Sequence, residues 1–336
     1  MVTNLQNTPL VVGVDLGGTQ LRVSVLRGTH LLSRVSALTR DFPTPDLIIS
    51  RIFSAIQQAL EEANSTLHQI VGIGIGQPGS LDNRTGLVFS FPNLPAWHNV
   101  PLQHIFQDRY ARPIFIDDDA NTAALGEFYF GQGCGYKNMV YLTISTGIGG
   151  GVIVDGQLMR GARGTAGELG HMTIDWHGER CSCGNIGCLE SIASGTAIAR
   201  RARKAIAQGA HFSAAPNDCI EQQQDEVDAQ FVARAAIAGV PEARAIIRDA
   251  AEALGVGLVN IINIFNPEII VLGGGLTQMD EALLIEPARR IVDARAMRIP
   301  YKDVKIVKSQ LGPDVGLIGA GALVYSRGGS KLPENP

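Results

Sequence analysis

The sequence predicts a two-domain α/β protein, and three observations carry that expectation. A strand, a Gly and Thr turn and a second strand occupy residues 10–32, and the same meander returns at residues 138–160. Between and after the copies, short apolar strands alternate with stretches of helical periodicity. Residues 167–190, GELGHMTIDWHGERCSCGNIGCLE, crowd three cysteines and two histidines into one glycine-punctuated segment.

With 336 residues, 45% hydrophobic and 18% charged, core size is not limiting for one large domain or two. A formal net charge of -4 and the lack of a Lys/Arg block leave no electrostatic footprint for nucleic acid. The cysteines, Cys134, Cys181, Cys183, Cys188 and Cys219, are odd in number and suit a reducing compartment better than a disulfide framework. The amino terminus has no basic region followed by an apolar one. The most apolar run, 256–272, is broken by Asn260, Asn263, Asn266, Pro267 and Glu268, so it does not span a bilayer. A cytoplasmic protein with no membrane partner is expected.

The first meander, LVVGVDLGGTQLRVSVLRGTHLL, is a strand, a turn, a strand with Leu21, Val23 and Val25 alternating, and a third strand. It lacks the lysine and the helix of a Walker loop. In DLGGT the glycines let backbone amides approach a phosphate, Thr19 adds a hydroxyl, and Asp15 offers a carboxylate to magnesium or its water; a plain hairpin turn explains the same residues. Leu47, Ile48, Ile52, Ile56 and Leu60 predict a helix over 46–65. The strand IVGIGIG follows. Gly74, Gly76 and Gly79 match a dinucleotide fingerprint, but Pro78 and the turn-rich SLDNRTG leave no helix to receive a pyrophosphate. Asn93 lies in the proline-rich loop FPNLPAW, where its amide presents both a donor and an acceptor.

The strand RPIFID runs into Asp117, Asp118 and Asp119 and then a helical segment. One of these acids is expected to cap the helix, and a second, beside like charges, can serve as general base for a hydroxyl; a plain cap with two solvated acids explains the same residues. The second meander, NMVYLTISTGIGGGVIVDGQLMR, makes the first more than a turn: a duplicated phosphate hairpin implies two halves facing one cleft, each holding one end of a polyphosphate. In the cysteine segment, three thiolates and one imidazole make a closed tetrahedral shell suited to structural zinc. Spacing leaves both His171 and His177 open as the fourth ligand. Residues 195–251 read as mostly helical, with a polar stretch at 217–228, and 254–265 as a buried helix. EIIVLGGGL is a strand whose following glycines allow a flat base close to the backbone, and a tight turn explains the same glycines. Residues 315–325 predict a short apolar helix before a frayed polar tail.

DLGGT at 15–19, DDAN at 118–121, STGIGGG at 145–151, GELGH at 167–171, CSCGNIGCLE at 181–190 and VLGGG at 271–275 together resemble the ROK family of sugar kinases and related repressors. That family lies within the actin, hexokinase and Hsp70 superfamily. The resemblance implies an actin-like, ribonuclease H-like fold of two domains about a cleft. Residues 1–118 plus 312–330 would form the smaller domain, and residues 119–311, with the zinc loop, the larger. It implies that His171, Cys181, Cys183 and Cys188 bind zinc and that Asp119 is the catalytic base. Gly79, Asn93, Asp118, Asp119, Glu168, His171 and Glu190 would line the sugar. Asp15, Gly17, Gly18, Thr19, Gln20, Thr146, Gly147, Gly273, Gly274 and Gly275 would hold ATP, with magnesium.

The implied activity is ATP-dependent phosphorylation of the 6-hydroxyl of a hexose, glucose first, in a homodimer or homotetramer. N-acetylmannosamine, N-acetylglucosamine, allose and fructose are rival substrates. A sugar-sensing repressor is the rival of another class, and it needs a three-helix DNA-binding domain where only about a dozen residues precede the first hairpin. Two positions depart from the family pattern. Asp118 stands where asparagine is usual, exchanging a donor and acceptor for an acceptor alone, and Gln20 stands where lysine or asparagine is frequent.

Overall fold

β1 (Leu10–Leu16) is buried along its whole length, as befits a strand paired on both edges, and it lies inside a mixed sheet. The computed structural model describes residues 8–91, 96–212 and 227–328. β2 (Gln20–Arg27) returns antiparallel to β1, placing Arg22 opposite Asp15 and Leu21 opposite Leu16. β3 (His30–Leu31) and β4 (Val35–Leu38) pair with β2 in turn.

α1 (Pro45–Glu62) opens with proline at its first position, where the missing N–H costs nothing, and buries Ile48, Ile52, Ile56 and Leu60. β5 (Ile70–Gln77) then lies parallel to β1. A small antiparallel sheet of β6 (Leu81–Asp82), β7 (Leu87–Ser90) and β8 (His98–Pro101) follows, then α2 (Leu102–Arg109) and β9 (Ile114–Asp118), parallel to β5. The main sheet runs β3-β2-β1-β5-β9. Its parallel pairs need crossover connections, and α1 and α2 lie within them.

After α3 (Asp119–Phe130) the second meander forms β10 (Met139–Ile144), β11 (Ile148–Val154) and β12 (Gln157–Leu158). The helices α4 (Leu189–Ala193), α5 (Gly195–Ala207), α6 (Ala229–Ile237) and α7 (Pro241–Phe265) precede β13 (Ile269–Gly273). α8 (Ile285–Arg295), α9 (Arg298–Tyr301), β14 (Lys305–Lys308) and α10 (Val315–Arg327) complete the described chain. The second sheet runs β12-β11-β10-β13-β14. The helix expected at 254–265 is the carboxyl-terminal half of α7, which begins at Pro241 and ends on left-handed Asn266, φ 45°. The helix expected at 315–325 runs on to Arg327.

The described parts of Met1–Tyr141, Gly151–Gly167 and Ser309–Pro336 form one compact unit, and those of Leu142–Gly150 and Glu168–Lys308 a second. In the first, α10 packs by backbone approach. A Cβ on Gly74 of β5 would collide with the Ala320 carbonyl, and one on Gly319 with the Thr122 carbonyl of α3. Asn93, residues 217–226 of the polar stretch and the tail from 329 lie outside the described residues. No helix among the described residues is long and apolar enough to cross a membrane.

Candidate active site and metal centre

In the first unit the DLGGT turn is closed by Gly17 N–H donating to the Gln20 carbonyl at 2.8 Å. Buried Thr39, which the sequence did not single out, clamps it from outside. The Thr39 N–H donates to the Thr19 carbonyl at 2.9 Å, and its hydroxyl donates to the Gly17 carbonyl at 2.8 Å. Asp15 is buried and accepts a hydrogen bond from the Arg22 guanidinium. Burial raises the Asp15 carboxyl above its ordinary value, Arg22 opposes that shift, and Asp314 adds to it.

The corner from β9 into α3 assigns different work to the three consecutive acids. Asp118 is the cap: its side chain accepts the N–H groups of Ala120 at 3.0 Å and Asn121 at 3.4 Å, the first-turn donors a helix cannot satisfy itself. Asp119 is the first residue of α3 and half-buried. Asp117 is fully buried and joins Arg160 and Arg327. Gln77 lies in register with Asp118 across β5 and β9, and its side chain reaches the carbonyl of Gly79, a residue at φ +100°.

In the second unit, the STGIGGG turn is closed by Ser145 N–H donating to the Gly147 carbonyl at 2.9 Å. The start of α5 backs it: Gly195 N–H donates to the Ser145 carbonyl at 2.8 Å and Thr196 N–H to the Thr146 carbonyl at 3.1 Å. Glu190, in the first turn of α4, accepts the Ile148 N–H at 2.8 Å. A Cβ on Gly147 would stand 2.6 Å from that carboxylate, so a side chain there would displace Glu190 from the Ile148 N–H. After β13, Gly274 adopts φ +88° against the Ile144 carbonyl, while a side chain at Gly275 would meet open space but for Ser145 Oγ at 3.8 Å.

The ligand atoms of His171, Cys181, Cys183 and Cys188 all lie within 4.8 Å of one another. Cys181 Sγ is 3.6 Å from His171 Nδ1, and Cys183 Sγ is 3.7 Å from Cys188 Sγ. Tetrahedral zinc with zinc–sulfur bonds of about 2.3 Å sets its sulfur ligands about 3.8 Å apart, so the set fits the ion. His177 is exposed, packs its ring edge-on to Trp176 and is not in the cluster. The loop makes this geometry with left-handed Gly184 and Gly187, a Cys181 N–H bond to the Asn185 carbonyl at 2.8 Å, and a bridge pairing Thr173 with Cys188.

Burial first, and the neighbouring sulfurs next, push the Cys188 thiol up to about 12, while the Asn185 N–H lowers Cys183. A bound cation reverses this balance by stabilising the thiolates. His171 turns Nδ1 to Cys181 Sγ, and its Nε2 points away from that sulfur, 4.0 Å from Glu168 Oε2 and beyond hydrogen-bond reach of it.

These features coincide with a known family. The ROK family model matches residues 11–327, and the chain belongs to the ROK family. The glucokinase of Thermotoga maritima is 36% identical over 318 residues, covering 94% of this chain and 98% of that protein. A putative xylose repressor of Caldicellulosiruptor sp. is 35% identical over 323 residues, 96% of this chain and 79% of the repressor. Among solved structures, a ROK family glucokinase from Streptomyces griseus in complex with glucose and AMPPNP is 31% identical. It aligns with a TM-score of 0.78 over 94% of this chain and 98% of its own. The fold is thus the actin/hexokinase-like fold of the ROK family, with mixed sheets and a candidate His/Cys metal loop.

Proposed function

We propose that this protein is an ATP-dependent hexose kinase that phosphorylates the 6-hydroxyl of a sugar, with glucose the preferred acceptor. The observation that carries the reading is the near end-to-end likeness to a kinase solved with glucose and an ATP analogue. The glucokinase relative, matched over 98% of its length, supports it.

Phosphoryl transfer asks mainly for alignment and charge neutralisation, so few protein groups are needed. Asp119, at the start of α3, takes the hydroxyl proton, and its neighbour Asp118, already accepting two backbone N–H groups, contributes to the sugar side. Gly79, Asn93, Glu168, His171 and Glu190 complete the sugar contacts. The two glycine hairpins, at Asp15 to Gln20 and at Thr146 and Gly147, hold the phosphates, with Gly273, Gly274 and Gly275 beside the base. Magnesium bound with ATP supplies counter-charge to the phosphates. Zinc, held by His171, Cys181, Cys183 and Cys188, shapes the loop that carries Glu168 and leads into Glu190. The reading includes a cytoplasmic homodimer or homotetramer, and the reduced thiols of the metal loop suit that compartment.

A sugar-responsive regulator is a second reading, favoured by the 35% identity to the putative xylose repressor. A coupled assay of ADP release with magnesium and ATP separates the two, run over glucose, allose, fructose, N-acetylglucosamine, N-acetylmannosamine and xylose. Turnover is expected, highest in kcat/KM for glucose. Sugar binding without ADP release from any member would favour the regulator. Asp119→Asn is expected to keep sugar binding and to lose about 100- to 10,000-fold in kcat, the range for a general base.

A further inference from the structure

Asp117 carries more than the fold requires of it. Its carboxylate is completely buried and receives four hydrogen bonds. Oδ1 accepts the Asp118 N–H at 3.0 Å and Asn121 Nδ2 at 3.1 Å. Oδ2 accepts Arg160 Nε at 2.8 Å and Arg327 Nη2 at 3.2 Å. The arginines lie 43 and 210 residues away in sequence, one just beyond β12 and the other at the end of α10. Arg327 also donates to the Asn83 carbonyl at 3.3 Å, which ties the β6–β7 turn to the same knot.

A buried ion cluster is a poor way to gain stability, because desolvation offsets most of the Coulombic attraction and apolar residues of equal volume often do as well. Two guanidiniums against one carboxylate make the balance worse. Burial and the charge of Arg160 both lower Arg327 from its ordinary value, against the pull of Asp117. What such a cluster does supply is a single geometry, since each oxygen is held from two directions. That geometry is handed straight on: the Asp118 N–H is fixed by Asp117, the Asp118 carboxylate is fixed by Ala120 and Asn121, and Asp119 lies between.

We propose that Asp117, clamped by Arg160 and Arg327, is the positioning residue that sets the β9–α3 corner and thereby the placement of Asp119 against the acceptor hydroxyl. It touches no substrate and acts through the backbone of the corner. The inference rests on Asp119 being the general base.

The test is steady-state kinetics of D117N, R160K, R160Q and D119N, each first checked for folding by its urea midpoint. D117N nearly preserves shape but cannot satisfy two guanidiniums. Its kcat is expected to fall about 100-fold, the scale of a misplacement of about 1 Å, with KM for glucose and ATP within about threefold of the parent. R160Q is expected to lower kcat in the same way. The D117N/R160Q pair is expected to be no slower than D117N, because residues acting as one unit are not additive.

A residue of purely structural importance would lower the urea midpoint and leave kcat per folded molecule unchanged, and that result would overturn the proposal. If D117N does not fold, R160K, which keeps the charge but changes the donor geometry, carries the same expectation and the same refutation. An inactive D119N beside a fully active D117N sinks the positioning role alone. A D119N enzyme turning over near the parental rate removes the general-base assignment, and the positioning role falls with it.

Discussion

The Glu190 carboxylate accepts the Ile148 N–H at 2.8 Å, so a side chain assigned to the sugar is hydrogen-bonded to the loop assigned to the phosphates. A charge-assisted bond of this kind is worth about 1.5–3 kcal/mol. Glu190→Gln keeps the shape and loses the charge. It is expected to raise KM for glucose by about 10-fold or more and KM for ATP as well, measured by initial rates over a grid of both substrates. A change confined to the sugar would show that the link to Ile148 has no functional weight.

Metal removal is expected to act through the loop, not the chemistry. Cys183 is the exposed thiol of the four ligands, while Cys181 and Cys188 are buried. Cys183→Ser should therefore leave a protein that folds but holds zinc weakly. The expected outcome is a substoichiometric zinc content by elemental analysis, a lower Tm and a raised KM for sugar. Unchanged sugar kinetics in metal-free protein would contradict the assignment.

The pH dependence of stability should bear the mark of Asp15. Its folded value is raised above the ordinary 3.8, burial being the largest cause. A carboxyl raised on folding binds its proton more tightly in the native state. Its contribution is therefore fully present below the unfolded value and is lost as pH rises through the folded one. Asp15→Asn abolishes this loss. Relative to the parent, the variant is expected to compare better at pH 7 than at pH 4 in urea unfolding. The opposite trend would mean that the Arg22 pairing outweighs burial.

Close backbone packing of α10 gives a stability prediction independent of function. Gly74→Ala would drive a methyl group into the Ala320 carbonyl. Overpacking of this kind costs about 3 kcal/mol or more when the neighbour is backbone and cannot turn aside, and the urea midpoint should fall accordingly. Gly275→Ala, where a Cβ meets only Ser145 Oγ at 3.8 Å, is the control and should unfold with the parent.

Much of the architecture was legible in the chain because its signals are local. The two meanders follow from alternation around Gly and Thr turns, and β1/β2 and β10/β11 occupy those stretches. The helix starting at Pro45 was visible in its apolar spacing, and the carboxyl-terminal half of α7 in its apolar run. The amino-terminal half of α7 fell within the stretch 195–251 read as mostly helical, and the structure joins it to the apolar run at 254–265 as one helix.

The sequence by itself determined which groups are present: thiolates and imidazoles spaced for a metal, two glycine turns between paired strands, and an acidic corner opening a helix. Each is a matter of residues within a few positions of one another, where the covalent chain already limits geometry. Tertiary structure decided the roles within each group. Spacing left His171 and His177 equal, and only the folded loop turns His171 Nδ1 to the sulfurs. Three adjacent aspartates looked alike, and they were separated by partners that the chain brings from afar. Asp118 faces the N–H groups of its own helix, whereas Asp117 faces Arg160 and Arg327, whose distance in sequence hides them from any local pattern.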